Sequence, residues 1–154
     1  MNAAEIIARF GLAPHPEGGW YREIYRSPMR VAGPKGERSA LTTIYYLLEQ
    51  ADKSCWHVVA SDEIWHFYAG AVLQLYAYDP HTRELDTHEL GAERLPVAII
   101  PARTWQAARS TGAYSFVGCS VGPGFDFRDF QLVHELAGHE QHFTGAMSAL
   151  RALL

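Results

Sequence analysis

The chain has 154 residues, of which 48% are apolar, and its formal net charge is −4 at pH 7. This length is sufficient for one domain with a hydrophobic core, and we treat residues 1–154 as a single domain. No apolar run approaches the ~18 residues that a membrane-spanning helix needs, and the scattered charges, without a basic stripe, argue against nucleic acid as the main ligand.

The N-terminal residues contain no basic region followed by an apolar block, so we expect no signal peptide. Cys55 and Cys119 are the two cysteines of the chain, and a single pair does not make a disulfide framework. A reducing cytoplasmic location is therefore expected.

The first predicted element is a short amphipathic helix over residues 3–10. Asn2 and Glu5 have the spacing of a capping box, and Gly11 is suited to end the helix. Residues 14–19, PHPEGG, favour neither helix nor regular strand, and residues 31–39 are predicted to be a polar Gly/Pro loop.

About ten short strands are predicted from alternating or dense β-forming residues. They cover residues 20–26, 42–48, 55–59, 63–68, 72–78, 85–90, 97–100, 105–108, 114–120 and 130–133. Short strands at this spacing, with Gly/Pro turns, indicate an all-β sandwich or barrel, since there is no room for helices between the strands. The tail from Glu135 has Met147, Leu150 and Leu154 at helical spacing and is predicted to be helical.

Residues 55–70, CWHVVASDEIWHFYAG, place four ionisable side chains in a stretch that otherwise has the composition of a core. Such groups are costly to bury unless they are paired, hydrogen-bonded or bound to something. The four side chains are His57, Asp62, Glu63 and His66.

Part of this stretch resembles the first cupin motif, which usually reads His-x-His, three or four residues, Glu, six residues, Gly. Glu63 and Gly70 match its second half, His57 falls on the first histidine, and Val59 occupies the second histidine position. The second motif usually reads Pro-x-Gly-x-x-His, and residues 101–106, PARTWQ, lie where it is expected.

Three blocks resemble, more specifically, the uncharacterised cupin family called DUF985 or cupin-5. They are HPEGGWYRE (residues 15–23), SDEIWHFYAG (61–70) and VGPGFDFRDF (121–130). The resemblance implies a double-stranded β-helix, the cupin jelly roll, paired as a homodimer. The family has no settled activity, and its fold is similar to that of sugar-nucleotide epimerases and of metal-dependent cupins.

Strand alternation places His57 and Val59 on one face, and the cupin pattern places Glu63 inside the barrel. We therefore expect His57, Glu63 and Gln106 to converge in the barrel mouth, with His66 pointing the other way. His57 is the candidate proton donor or acceptor, since its ordinary pKa is near neutrality, and Glu63 is expected to orient its imidazole.

Aromatic and basic residues complete the predicted ligand site. The aromatic rings are expected to stack on a planar or sugar-like ligand, and the guanidinium groups are expected to hold a carboxylate or phosphate. The alternative for the rings is ordinary core packing. The ring residues are Trp65, Phe67, Trp105, Trp20 and Tyr21, and the basic residues are Arg22 and Arg103. Arg103 occupies a motif position at which glycine permits a left-handed turn, so either the turn differs or a ligand contact offsets the strain.

Gln106 occupies the histidine position of the second motif, and a neutral amide is a weak ligand for transition metals. With Val59 in place of the other imidazole, we predict no metal and no other cofactor. The alternatives are a His57–Glu63 hydrogen bond in a polar core, or a metal held by His57, Glu63 and Gln106.

The predicted partner is a small-molecule ligand, with no nucleic acid and no membrane. Two classes of function remain open: an isomerase or epimerase of carbohydrate-like or sugar-nucleotide substrates, acting by proton transfer at His57, and a non-catalytic ligand-binding module. A metal-dependent cupin enzyme is a further alternative. The choice of isomerase rests on the resemblance of fold.

Overall fold

In the computed structural model, residues 1–136, 151 and 153 are described, and they contain one α-helix and thirteen strands. In chain order the elements are α1 (Ala3–Phe10), β1 (Ala13–Pro14), β2 (Trp20–Arg26), β3 (Arg30–Gly33), β4 (Gly36–Ser39), β5 (Thr42–Glu49), β6 (Lys53–Val59), β7 (Asp62–Gly70), β8 (Leu73–Tyr78), β9 (Leu85–Leu90), β10 (Val97–Ile100), β11 (Trp105–Ser110), β12 (Tyr114–Gly122) and β13 (Phe130–Leu132). Within this part of the chain, no helix is both long and apolar enough to span a membrane.

The predicted capping box of α1 is confirmed. The Glu5 backbone N–H donates to Asn2 Oδ1 at 2.9 Å, and the Asn2 N–H donates to Glu5 Oε2 at 2.8 Å. Gly11 ends the helix with a φ of 62°, in the left-handed region that glycine adopts at little cost. Ile6 is the buried residue of the helix and joins a small cluster that also contains Phe116 of β12.

Two antiparallel sheets make up the barrel. The order of the larger sheet is β1-β2-β5-β12-β7-β10, and that of the smaller is β13-β6-β11-β8-β9. β12 inserts between β5 and β7, and β11 inserts between β6 and β8, so the chain crosses repeatedly from one sheet to the other, as in a jelly roll. The all-β prediction is confirmed.

The inner faces of the two sheets meet in the main hydrophobic cluster. The larger sheet contributes Tyr46, Leu48, Trp65, Val117 and Cys119, and the smaller sheet contributes Leu73, Leu75, Ala77 and Ala108.

Two predicted segments need correction. Residues 31–39 form not a loop but the hairpin of β3 and β4, because the Gly33–Gly36 segment supplies only its turn. The predicted helical tail is not supported by the described residues: Val133–Glu135 is a short 3₁₀-helix. Met147, Leu150 and Leu154, which suggested that tail, lie outside the described residues.

Candidate functional site

A pocket of about 520 Å³ opens between the two sheets. Its ionisable lining residues are His15, Glu17, Tyr21, Arg22, Glu23, Arg26, His57, Glu63, Cys119 and Asp126. Apolar side chains cover the remainder: Ala13, Ile44, Val59, Val121, Phe125 and Phe127. Of the four ionisable side chains in the predicted polar stretch of β6 and β7, His57 and Glu63 thus face a cavity of ligand size.

His57 is buried on β6, with 2% of its surface exposed. Its Nδ1 lies 2.7 Å from the carbonyl oxygen of Cys55. Because a carbonyl only accepts hydrogen bonds, Nδ1 carries a proton. Nε2 lies 3.3 Å from Glu17 Oε2, a distance at which two lone pairs would repel. The His57–Glu17 pair is therefore placed to share a proton between Nε2 and Oε2.

Glu17 comes from the turn over residues 14–19, which docks against β6. Ser54 Oγ donates to Glu17 Oε1 at 2.8 Å, and the Cys55 N–H donates to the Glu17 carbonyl at 2.9 Å. Gly18, with a φ of 110°, makes this approach possible, because a Cβ there would collide with the carbonyl oxygen of Lys53. The glycine pair of the turn thus lets a buried carboxylate reach the imidazole.

Glu63 belongs to a hydrogen-bonded chain that begins in the core. Trp65 Nε1 donates to Gln106 Oε1 at 3.0 Å, and Gln106 Nε2 donates to Glu63 Oε2 at 2.6 Å. Since an indole N–H can only donate, it fixes the orientation of the Gln106 amide, and Glu63 Oε2 must accept. Burial raises the pKa of Glu63 to about 7, although His57 and Gln106 act in the opposite sense.

His15 is the second imidazole of the pocket. The Glu17 backbone N–H donates to its Nδ1 at 3.1 Å, and the same Nδ1 lies 3.8 Å from Glu17 Oε2. Four aromatic rings surround the imidazole at centroid distances of 4.5–6.4 Å; they belong to Tyr21, Tyr46, Phe127 and Phe130. Burial lowers the pKa of His15, an effect that nearby Glu17 opposes.

Comparison with known proteins identifies the family. The profile described as Cupin_5, cupin superfamily (DUF985), matches residues 4–133. A crystal structure of a protein from Shewanella oneidensis is similar over 99% of this chain and 97% of its own, with 34% identity and a TM-score of 0.83. The chain belongs to the DUF985 family of cupins.

One further structure supports this family, and another shares the fold. A hypothetical protein from Leishmania major is 34% identical, with a TM-score of 0.80, and the match covers 85% of this chain and 86% of that one. A cupin 2 conserved barrel domain protein from Rhodopseudomonas palustris has 16% identity and a TM-score of 0.56, over 86% and 88% of the two chains. At that identity the similarity shows the fold alone. No functionally curated protein matches the sequence.

Four of the predicted site residues line the pocket of this cupin: His57, Glu63, Tyr21 and Arg22. Arg22 is exposed and its Nη1 donates to the carbonyl of Phe10 at 3.0 Å. The expectation that Glu63 orients His57 is wrong, as is a His57–Glu63 hydrogen bond, because the imidazole is held by the Cys55 carbonyl and faces Glu17.

Other predicted ligand-binding residues lie outside the pocket lining. Trp65 and Phe67 pack in the main hydrophobic cluster. Gln106 is hydrogen-bonded to Glu63 and does not line the cavity. Trp105 packs in a separate cluster with Trp56 and Tyr76. Trp20 packs near α1, and its Nε1 donates to Glu49 Oε2 at 3.3 Å.

Arg103 does adopt the left-handed backbone that the cupin motif requires, with a φ of 66°. The turn is therefore the usual one, and its N–H donates to the Val59 carbonyl at 2.8 Å. The Arg103 side chain lines a different surface pocket, of about 370 Å³, so the prediction that it is a basic residue of the main ligand site is wrong.

The third family block supplies pocket residues that the sequence analysis did not assign. Phe125 and Phe127 form an aromatic wall, with ring centroids 4.9 Å apart at 85°. Arg26 joins this wall to β2, since it pairs with Glu23 at 2.8 Å and donates to the Phe125 carbonyl at 3.1 Å. The signal for these residues was the block itself, which matches the family but carries no obvious catalytic pattern.

The arrangement does not fit the metal site of metal-dependent cupins. Over residues 1–136, 151 and 153, no three His, Cys, Asp or Glu side chains are placed to hold a metal ion. Gln106 presents its N–H group to Glu63 and its oxygen to Trp65, so neither atom is offered to a cation. The absence of a bound metal stays a prediction.

Proposed function

We propose that this cupin binds a small polar, carbohydrate-like molecule in the pocket and transfers a proton on it, as an isomerase or epimerase does. The observation that carries this proposal is that two proton-carrying sites line one cavity. One is the His57–Glu17 pair, and the other is Glu63, whose pKa of about 7 suits both acid and base roles near neutrality.

The two sites have complementary roles in the proposal. Glu63 as a carboxylate accepts a proton from the bound molecule, and the His57–Glu17 pair donates its shared proton to it. Exchange with solvent then resets both groups. Apolar walls from Ile44, Val121 and Phe127 suit the C–H face of a sugar-like ring.

Proton exchange with solvent is the direct test. The protein is incubated in D₂O with a panel of aldoses, ketoses and sugar nucleotides, and deuterium incorporation at carbon is followed by NMR. We expect incorporation into at least one class, and a loss of roughly 10²-fold or more in His57→Gln and in Glu63→Gln. A matched control is Glu84→Gln, an exposed position outside the pocket, which should retain the wild-type rate.

The non-catalytic alternative gives a different result. A pocket that only binds would show ligand affinity without exchange, and His57→Gln would then leave affinity within a few-fold. A panel that shows neither exchange nor binding contradicts the proposal.

We also propose that the protein is a homodimer, as predicted from the sequence. Apolar side chains on the outer face of the larger sheet support it: Tyr25, Tyr68, Val97 and Ile99 are 42–61% exposed. His66 lies on this face, 3.5 Å from Ser120, as expected. Light scattering at micromolar concentration should give about twice the chain mass of 17.2 kDa, and a monomer mass contradicts the proposal.

A cytoplasmic location remains part of the proposal. The free thiols of Cys55 and Cys119 are consistent with the reducing conditions of that compartment.

A further inference from the structure

His15 has a fixed tautomer. Its Nδ1 receives the backbone N–H of Glu17, and a backbone N–H can only donate, so Nδ1 has no proton. In the neutral ring the proton is consequently on Nε2. Burial among four aromatic rings favours that neutral form.

The Nε2–H group is a donor without an acceptor among the described residues. The polar contacts of the His15 imidazole are the two to Glu17, and both involve Nδ1. The side chain is only 6% exposed, yet it lines the main pocket. Among the described residues, Ser61 Oγ is the buried side-chain polar atom without a partner, so the His15 N–H is not sealed off but open to the pocket. A molecule that fills the pocket and displaces water from this N–H must offer an oxygen in its place, or the donor is left unpaired.

We infer that His15 Nε2–H donates to the carbonyl oxygen of the bound molecule, and that the pocket takes α-hydroxycarbonyl compounds such as open-chain or keto sugars. This inference rests on the proposed function, because a carbonyl is what makes a neighbouring C–H acidic enough for Glu63 to remove its proton. The C–H electron pair then forms the C=C bond, and the carbonyl π pair moves to oxygen. The resulting enolate oxygen accepts the hydrogen bond from His15, which stays neutral throughout.

The alternative of a free carboxylate as the group bound by His15 is less favoured. Glu17 Oε2 lies within 3.8 Å of the His15 ring, and Glu63 and Glu23 line the same pocket. A ligand anion at His15 would approach these carboxylates, whereas a neutral carbonyl carries no net charge to be repelled.

Two small probes differ only at the group in question: dihydroxyacetone has a carbonyl at the carbon where glycerol has a hydroxyl. Two variants separate the two nitrogen atoms of His15. His15→Asn keeps an acceptor near the Nδ1 position and removes the Nε2–H donor, and His15→Gln keeps a donor near Nε2 and removes the acceptor. His81→Asn, in an exposed turn, is the control for the substitution itself.

Binding is measured by NMR titration of the purified full-length protein. We expect the wild type and His81→Asn to prefer dihydroxyacetone by roughly five-fold or more, His15→Gln to keep the preference, and His15→Asn to lose it. Equal binding of both probes to the wild type, binding of neither, or loss of the preference in both His15 variants overturns the inference.

A measurement on the wild type alone guards against a variant that fails to fold. Long-range ¹H–¹⁵N spectra should show His15 as the Nε2–H tautomer, with a signal that moves on addition of dihydroxyacetone but not of glycerol. An imidazolium, an Nδ1–H tautomer or an unresponsive signal overturns the inference. If the preference for dihydroxyacetone depends on His15 but no substrate exchanges deuterium, the proposed proton transfer fails, while the assignment of His15 as the carbonyl donor stands. If a substrate exchanges deuterium but the preference does not depend on His15, the proposed function stands and the assignment of His15 fails.

Discussion

Replacing Glu63 by Gln is expected to stabilise the protein in neutral to mildly alkaline solution, even though it removes a residue of the site. Glu63 is 7% exposed, and burial raises its pKa from an ordinary 4.5 to about 7. The folded state therefore binds a proton more tightly than the unfolded chain does. The stability that this provides is complete below about pH 4.5 and is lost as the pH rises through about 7.

The size of the effect follows from the same pKa. A change from 4.5 to about 7 corresponds to roughly 3 kcal/mol, at about 1.4 kcal/mol for each tenfold change in proton affinity. Gln at position 63 is always neutral and can still accept from Gln106 Nε2 through its amide oxygen. The difference in unfolding free energy between the variant and the wild type should be small near pH 4.5 and should grow to roughly 3 kcal/mol by pH 8.

Urea unfolding of both proteins between pH 5 and pH 8 measures this difference directly. Titrating groups that do not interact with Glu63 contribute equally in the two proteins and cancel. Glu84→Gln provides an exposed control that should show no such growth. An effect of roughly 3 kcal/mol is a large share of the 5–15 kcal/mol typical of domains, so it is readily detected. A difference that does not change with pH, or that falls as pH rises, would refute the reasoning about Glu63.

Three further changes test other parts of the structure. Arg103→Gly should raise the unfolding free energy by about 1 kcal/mol in urea titrations, because glycine tolerates a φ of 66°. Arg103→Ala is the control, and a destabilised Gly variant contradicts the expectation. Gly18→Ala should lower the unfolding free energy by about 1–3 kcal/mol and displace Glu17, because the Cβ of the alanine would collide with the Lys53 carbonyl. An unchanged melting temperature contradicts this prediction. Elemental analysis should find substoichiometric transition metal, with a melting temperature that barely responds to a chelator; one tightly held metal per chain, lost in His57→Ala, contradicts it.

The sequence predicted strands best where local alternation decides them. Trp20–Arg26 and Val97–Ile100 were predicted with the bounds that the structure has, because aromatic and β-branched residues recur along each strand. The hairpin of β3 and β4 was missed, since its strands are polar and short. One of its anchors is a buried ion pair between Arg38 and Asp129, 2.7 Å apart, which joins residues 91 positions apart and leaves no local signal.

The candidate site was predicted only in part, for physical reasons that differ among residues. His57 and Glu63 follow from motif spacing within adjacent strands. Glu17 and His15 were missed because a turn of the N-terminal segment docks on β6, some forty positions later, and periodicity within strands does not predict such docking. Trp105 could have been set aside from the sequence, because neighbouring residues of a strand face opposite sides and Gln106 points inward.

Gln106 occupies the position at which the usual cupin motif has a histidine, and it also donates a hydrogen bond to Glu63. Gln106 directs an N–H at the carboxylate, and Trp65 prevents its amide from turning round. A buried carboxylate that already accepts a hydrogen bond is a poorer ligand for a cation. The pKa of about 7 follows chiefly from burial rather than from this hydrogen bond, which acts in the opposite sense. Burial and the fixed N–H donor of Gln106 thus support the proposed role of Glu63 in proton transfer rather than as a metal ligand.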